Sequence, residues 1–159
     1  VTTMKEMFEG CSSLESLEIP DNITFIDTGA FSECDSLKEV TIPGSVNHLR
    51  SHVFAYCDQL ESVVIQSGVE EIDQSCFASC HQLERVEIES GIQTLSMDLF
   101  SNCSELSEIF IPASVKEIIG SAFGGCDDLK DVYYGKTITF FFINAVLQHR
   151  YGVGRRRDL

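Results

Sequence analysis

Apolar residues recur along this chain at a fixed distance. Phe stands at 8, 31, 54, 77, 100 and 123, Cys at 11, 34, 57, 80, 103 and 126, and Leu at 14, 37, 60, 83, 106 and 129, a step of 23 each time. Aligned columns follow: Leu17, Val40, Val63, Val86, Ile109 and Val132, then Ile19, Ile42, Ile65, Ile88 and Ile111. Two more run through Ile23, Val46, Val69, Ile92, Val115 and Ile138, and through Ile26, Leu49, Ile72, Leu95, Ile118 and Phe141. No insertion or deletion disturbs the register. A fixed period between about 20 and 50 residues marks a stacked array, in which each unit buries its apolar face against its neighbours.

One unit, residues 53–75, "VFAYCDQLESVVIQSGVEEIDQS", shows the build. Val53, Phe54, Cys57 and Leu60 lie at i, i+1, i+4 and i+7, which predicts a short helical segment. Val63 and Ile65 alternate with outward residues, the period of a short strand. The "QSG" corner, with Pro in several sister units, turns the chain, and Val69 and Ile72 bring it back. Six coils result, at 7–29, 30–52, 53–75, 76–98, 99–121 and 122–144, the last degenerate after Gly135. Residues 1–6 read as the end of a preceding coil, and 145–159 as a cap remnant followed by a disordered basic tail. Strands are expected to pair with the coils above and below, and each Phe to pack on the next.

Charge narrows the partners. Residues 1–135 carry a net −18 and residues 136–159 a net +4, for −14 in all. An acidic body repels nucleic acid and anionic membrane, so neither is expected as a partner. No run of 18 apolar residues predicts membrane insertion. The first residues hold no basic-then-apolar leader, and the chain starts partway through a repeat, so it reads as a piece of a longer protein.

The unit [AVCL]-F-x-x-C-x-x-L-x-x-V-x-I-P-x-S-V-x-x-I resembles the leucine-rich repeat, specifically its BspA-like class, over residues 7–135. The resemblance implies a right-handed solenoid, with a curved parallel β-sheet on one side and short helical segments on the other. It also implies a place at the cell surface or outside the cell, and a role in adhesion or in binding host proteins. The departure comes after Gly135, where "KTITFFFINAVLQHRYGVGRRRDL" loses the texture of a repeat.

Candidate chemistry is sparse. The aligned cysteines face inward one coil apart; a spacing of about 4.8 Å exceeds the roughly 3.5–4.5 Å between Cβ atoms that a disulfide needs. They are expected to be buried free thiols, with Cys76 as an extra core member. No CxxC pair or open tetrahedral site predicts zinc, and no cofactor is expected. His48, His52, His81 and His149 fall in different columns. His48 and His52 are expected to face water, and His81 to pair with Asp58 one coil away. No nucleophile elbow, triad order or phosphate loop is present, so no enzyme is expected. "NIT" at 22–24 and "NCS" at 102–104 match glycosylation acceptors, relevant only to a secreted eukaryotic chain.

Specificity in a solenoid is free to vary only at outward positions. One outward column reads Ser16, Glu39, Ser62, Arg85, Glu108, Asp131; the next reads Glu18, Thr41, Val64, Glu87, Phe110, Tyr133. Phe110 and Tyr133 stand side by side, rimmed by charge, which is the composition of an interface hot spot. Arg85, Glu87, Glu108, Phe110, Asp131 and Tyr133 are therefore the candidate binding residues. Arg85 and Glu108 are expected to form a stacked ion pair, and the C-terminal tail competes as a cap over the two rings. The expected partner is a protein or glycan, such as an extracellular-matrix protein, and a spacer without a ligand is the alternative.

Overall fold

The computed structural model describes residues 5–135. Ten short strands wind into a parallel β-solenoid. The four-residue strands β2 (Glu39–Ile42), β4 (Ser62–Ile65), β6 (Arg85–Ile88), β8 (Glu108–Ile111) and β10 (Asp131–Tyr134) form the main strand edge. The first four bury alternate residues, so Val40, Val63, Val86 and Ile109 point inward while Thr41, Val64, Glu87 and Phe110 point out, and all four residues of β10 are half-buried. Pairing follows the 23-residue register: Val63 lies opposite Val40 and Val86, and Tyr133 opposite Phe110.

A second edge is built from two-residue strands that the residue pattern leaves unannounced. These are β1 (Phe25–Ile26), β3 (His48–Leu49), β5 (Glu71–Ile72), β7 (Thr94–Leu95) and β9 (Glu117–Ile118). Between the two edges the corner backbones almost touch. A Cβ on Gly44 would fall 2.0 Å from the Ser67 carbonyl oxygen, and Gly68 at φ 111° leans equally close to Gly44, so glycine is required there.

The third edge corrects the sequence expectation of short helical segments. Residues 28–33, 51–56, 74–79, 97–102 and 120–125 are runs of turns, and no helix forms among the described residues. Two residues per coil occupy the left-handed region, at Glu33, Tyr56, Ser79 and Asn102 in one column and at His52, Ser75 and Asp98 in the other. That region ends a right-handed helix. The amides then bond across coils: Phe31 N–H donates to the Val53 carbonyl at 2.9 Å, Phe54 to Cys76 at 2.8 Å and Phe77 to Leu99 at 3.0 Å. Donors committed to the next coil cannot serve a carbonyl four residues back.

The core matches the expected columns. Phe8, Phe31, Phe54, Phe77, Phe100 and Phe123 form one continuous stack, with centroids 5.2–5.8 Å apart and rings within 14° of parallel. All seven cysteines are free thiols. Cys34, Cys57, Cys80 and Cys103 each lie against the carbonyl of the Phe in the preceding coil, with sulfur–oxygen distances of 3.2–3.4 Å. The thiol is the donor, which gives the column a reason to be Cys rather than Ala or Val.

The ladders are not continuous. β2–β4–β6 form one hydrogen-bonded sheet and β8–β10 another, while the second edge divides into β1–β3–β5 and β7–β9. Both breaks fall around the fourth coil. Gln66, Glu89 and Gly135 donate their amides to Ile42, Ile65 and Ile111. Pro112 holds that position beside Ile88 and has no N–H to give. On the second edge the Ser96 hydroxyl, rather than a backbone amide, reaches the Ile72 carbonyl. The turn edge and the Phe stack cross this seam unbroken. The Glu108 amide, without the partner that the Arg85 amide has in Glu61, is expected to exchange with deuterium at least tenfold faster than that of Arg85. Amide-resolved hydrogen exchange checks this; equal protection of the two contradicts the seam.

Candidate functional site

The seam opens outward. Where β6 and β8 lie unpaired, a groove of about 490 Å³ crosses the strand face from the fourth coil to the sixth. Arg85, Glu108, Phe110 and Tyr133 line it, so four of the six candidate binding residues share one concavity. Glu87 sits on the outward face of β6 beyond the lining, and Asp131 lies in register with Glu108. Phe110 is 43% exposed, and Tyr133 is half-buried. Parallel pairing of β8 and β10 fixes the two residues side by side, yet neither ring enters a ring pair among the described residues.

Charge is denser here than the two outward columns foretell. Glu84, Glu105, Asp128 and Lys130 also line the groove. Glu84 and Lys130 belong to the column one residue ahead of each strand, which reads Glu15, Lys38, Glu61, Glu84, Ser107 and Lys130, while Glu105 and Asp128 lie two residues further back in the corner. Extending the outward reading by that single column would have found two of them.

The expected pair between Arg85 and Glu108 does not form; the ion pairs among the described residues all lie elsewhere. With β6 and β8 outside a common ladder, the register that would stack these two side chains is not enforced. His81 does pair with Asp58, Nδ1 to Oδ1 at 2.9 Å.

His48 departs from its expected place in water. Its Nδ1 lies 3.3 Å from Glu71 and its Nε2 3.1 Å from Asp73, while Arg50 reaches Asp73 at 3.7 Å and lies over the Phe25 ring at 5.5 Å. Pairing of β3 with β5 sets Glu71 directly against His48, so the cluster closes on itself across coils. His52 occupies a left-handed turn position. His149 and the proposed capping segment lie outside the described residues.

Five thiols, those of Cys34, Cys57, Cys76, Cys80 and Cys103, are held protonated, while a hydrogen bond with Cys103 lowers the pKa of Cys126. Burial pushes the Cys34 thiol up to about 11 and those of Cys57 and Cys76 to about 12, from an ordinary 9.0. Protonated, buried thiols are poor nucleophiles and poor metal ligands. No group of three or more His, Cys, Asp and Glu among the described residues could hold a metal ion. No helix among them is long and apolar enough to cross a membrane.

Known proteins frame this geometry. A family model described as "BspA type Leucine rich repeat region" matches residues 2–141 in six copies. A leucine-rich repeat protein of T. pallidum is 31% identical, with a TM-score of 0.70 over 75% of this chain and 58% of that one. A leucine rich cell surface protein from Faecalibacterium prausnitzii is 26% identical, with a TM-score of 0.61 over 75% of this chain and 41% of that one. A leucine-rich repeat protein from Eubacterium ventriosum, 23% identical over 74% of this chain and 32% of that one, shares the fold with a TM-score of 0.71. The chain thus spans from about a third to somewhat over half the length of these proteins. No curated protein matches it by sequence at a significant level. The repeat columns, the parallel solenoid and the six-copy match agree, and the chain belongs to the BspA-type leucine-rich-repeat family.

Proposed function

We propose that the chain is a non-catalytic binding module of a surface or secreted protein, engaging a protein or glycan through the outward face of its main strand edge. One observation carries this reading: two aromatic side chains and a set of charges without ion pairs among the described residues share a groove where the ladder breaks between β6 and β8. The mechanism is surface complementarity on an ordered array, so docking loses little conformational entropy. A surface location is supported by the F. prausnitzii relative, which is a leucine rich cell surface protein. The acidic body would speed encounter with a basic partner patch and make the on-rate salt-sensitive.

The test is a binding screen against extracellular-matrix proteins and glycans, run beside Phe110→Ala/Tyr133→Ala. Saturable binding that weakens with salt and falls at least tenfold in the variant is expected, since a hot-spot aromatic is worth about 2 kcal/mol or more. Undiminished binding by the variant removes the groove from the account, and a blank from folded protein favours a spacer role.

A further inference from the structure

The groove has a sign as well as a shape. Four carboxylates, those of Glu84, Glu105, Glu108 and Asp128, face two cations, Arg85 and Lys130. None of these six side chains has an ion pair or a side-chain hydrogen bond among the described residues. The surplus is negative, and it sits within a body of net −18. Beside it, Phe110 and Tyr133 offer ring surface that no protein cation covers among the described residues. A ring face with carboxylates around it attracts a cation twice over, through the ring quadrupole and through direct charge.

From this we infer that the occupant is an extended segment of a partner protein carrying Lys or Arg, whose side chain lies along Phe110 and Tyr133 with its charged head among Glu84, Glu105 and Glu108. The inference rests on the binding role proposed for the same face. The lining spans three consecutive coils, an advance of about 10 Å at the usual strand spacing, which about three residues of extended chain cover. The long alkyl stem of Lys or Arg covers apolar ring surface while its head stays hydrated at the rim. A neutral sugar also stacks on aromatic rings, but it leaves the surplus negative charge of the groove uncompensated. A basic side chain uses both features.

The test is a titration of ¹⁵N-labelled protein, followed by amide shifts, with three probes: a blocked Gly-Gly-Arg-Gly-Gly peptide, the same peptide with Gln in place of Arg, and a chitotriose oligosaccharide. The Arg peptide is expected to move the amides of Glu108–Ile111 and Asp131–Tyr134, saturably, at least tenfold more tightly than the Gln peptide. Its affinity is expected to fall at least fivefold in Glu84→Gln/Glu108→Gln, whose surface substitutions leave the core columns intact, and to fall again between 50 and 300 mM salt. Equal affinity of the Arg and Gln peptides overturns the inference. Groove shifts produced by the oligosaccharide alone also overturn it while keeping the strand face as the binding surface. Shifts confined to other surfaces overturn both readings together.

Discussion

Replacing Phe77 by Ala is expected to lower the unfolding free energy by about 3–5 kcal/mol, the usual cost of removing a buried aromatic ring. Phe77 is fully buried and stacked between Phe54 at 5.6 Å and Phe100 at 5.5 Å. Its place in the array adds a second effect. The main-edge ladder breaks between the fourth and fifth coils, so there the Phe stack, the turn-edge bonds and the short β7–β9 ladder are what couple the two halves of the array. In a one-dimensional array, stability is a sum of unit and neighbour terms, and weakening one neighbour term divides the cooperative unit. Urea unfolding of Phe77→Ala is therefore expected to show two steps. Phe31→Ala, outside the seam and also buried, is expected to lose similar stability in a single step. Circular dichroism and tyrosine fluorescence followed together distinguish the two. A loss below 1 kcal/mol, or one coincident transition in both variants, contradicts the coupling.

The second large effect is an alkaline loss of stability. The folded state holds the Cys57 and Cys76 thiols up at about 12, while the unfolded chain releases their protons near 9.0. Groups raised in the folded state contribute stability that is whole below pH 9 and is lost as pH climbs toward 12. The loss amounts to about 1.4 kcal/mol per thiol per pH unit across that window. Cys34 acts in the same sense up to about 11, and burial raises Cys80 likewise. The midpoint of urea unfolding is expected to hold steady from pH 7 to 9 and to drop steeply by pH 11. Cys57→Ala/Cys76→Ala, though less stable at neutral pH, is expected to fall less steeply above pH 9. Parallel slopes in the two proteins contradict a role for the thiols and leave the lysines and tyrosines as the cause.

Much of this architecture is legible in the residues, because an array repeats its constraints. The Phe, Cys and Leu columns define the inward positions six times over, and the alternation of Val63 and Ile65 defines the strands. The turn edge departs from the helical expectation for a physical reason. Val53, Phe54, Cys57 and Leu60 have helical spacing, but they face inward from an irregular run whose two left-handed columns are glycine only at Gly10, Gly29 and Gly125 and are held in the central coils by residues such as Glu33, Tyr56, Ser79 and Asn102, so no glycine column announces them. His48 departs from its expected place because Glu71 occupies the same column one repeat on. In a stacked array a sister residue is also a neighbour, so Glu71 is what His48 touches. Phe110 and Tyr133 could be picked out by their column. The groove around them could not, because it depends on a ladder break that Pro112 marks only once the coils are stacked.

The central claim is that recognition takes place at the seam of the main strand face. Hydrogen exchange of the amides, compared with and without the protein or glycan captured in the screen, tests it most directly. Protection confined to β6, β8 and β10, strongest at Glu108 and Phe110, is the expected result. Protection centred instead on the second edge, around Phe25 and His48, or on the turn edge, would contradict it.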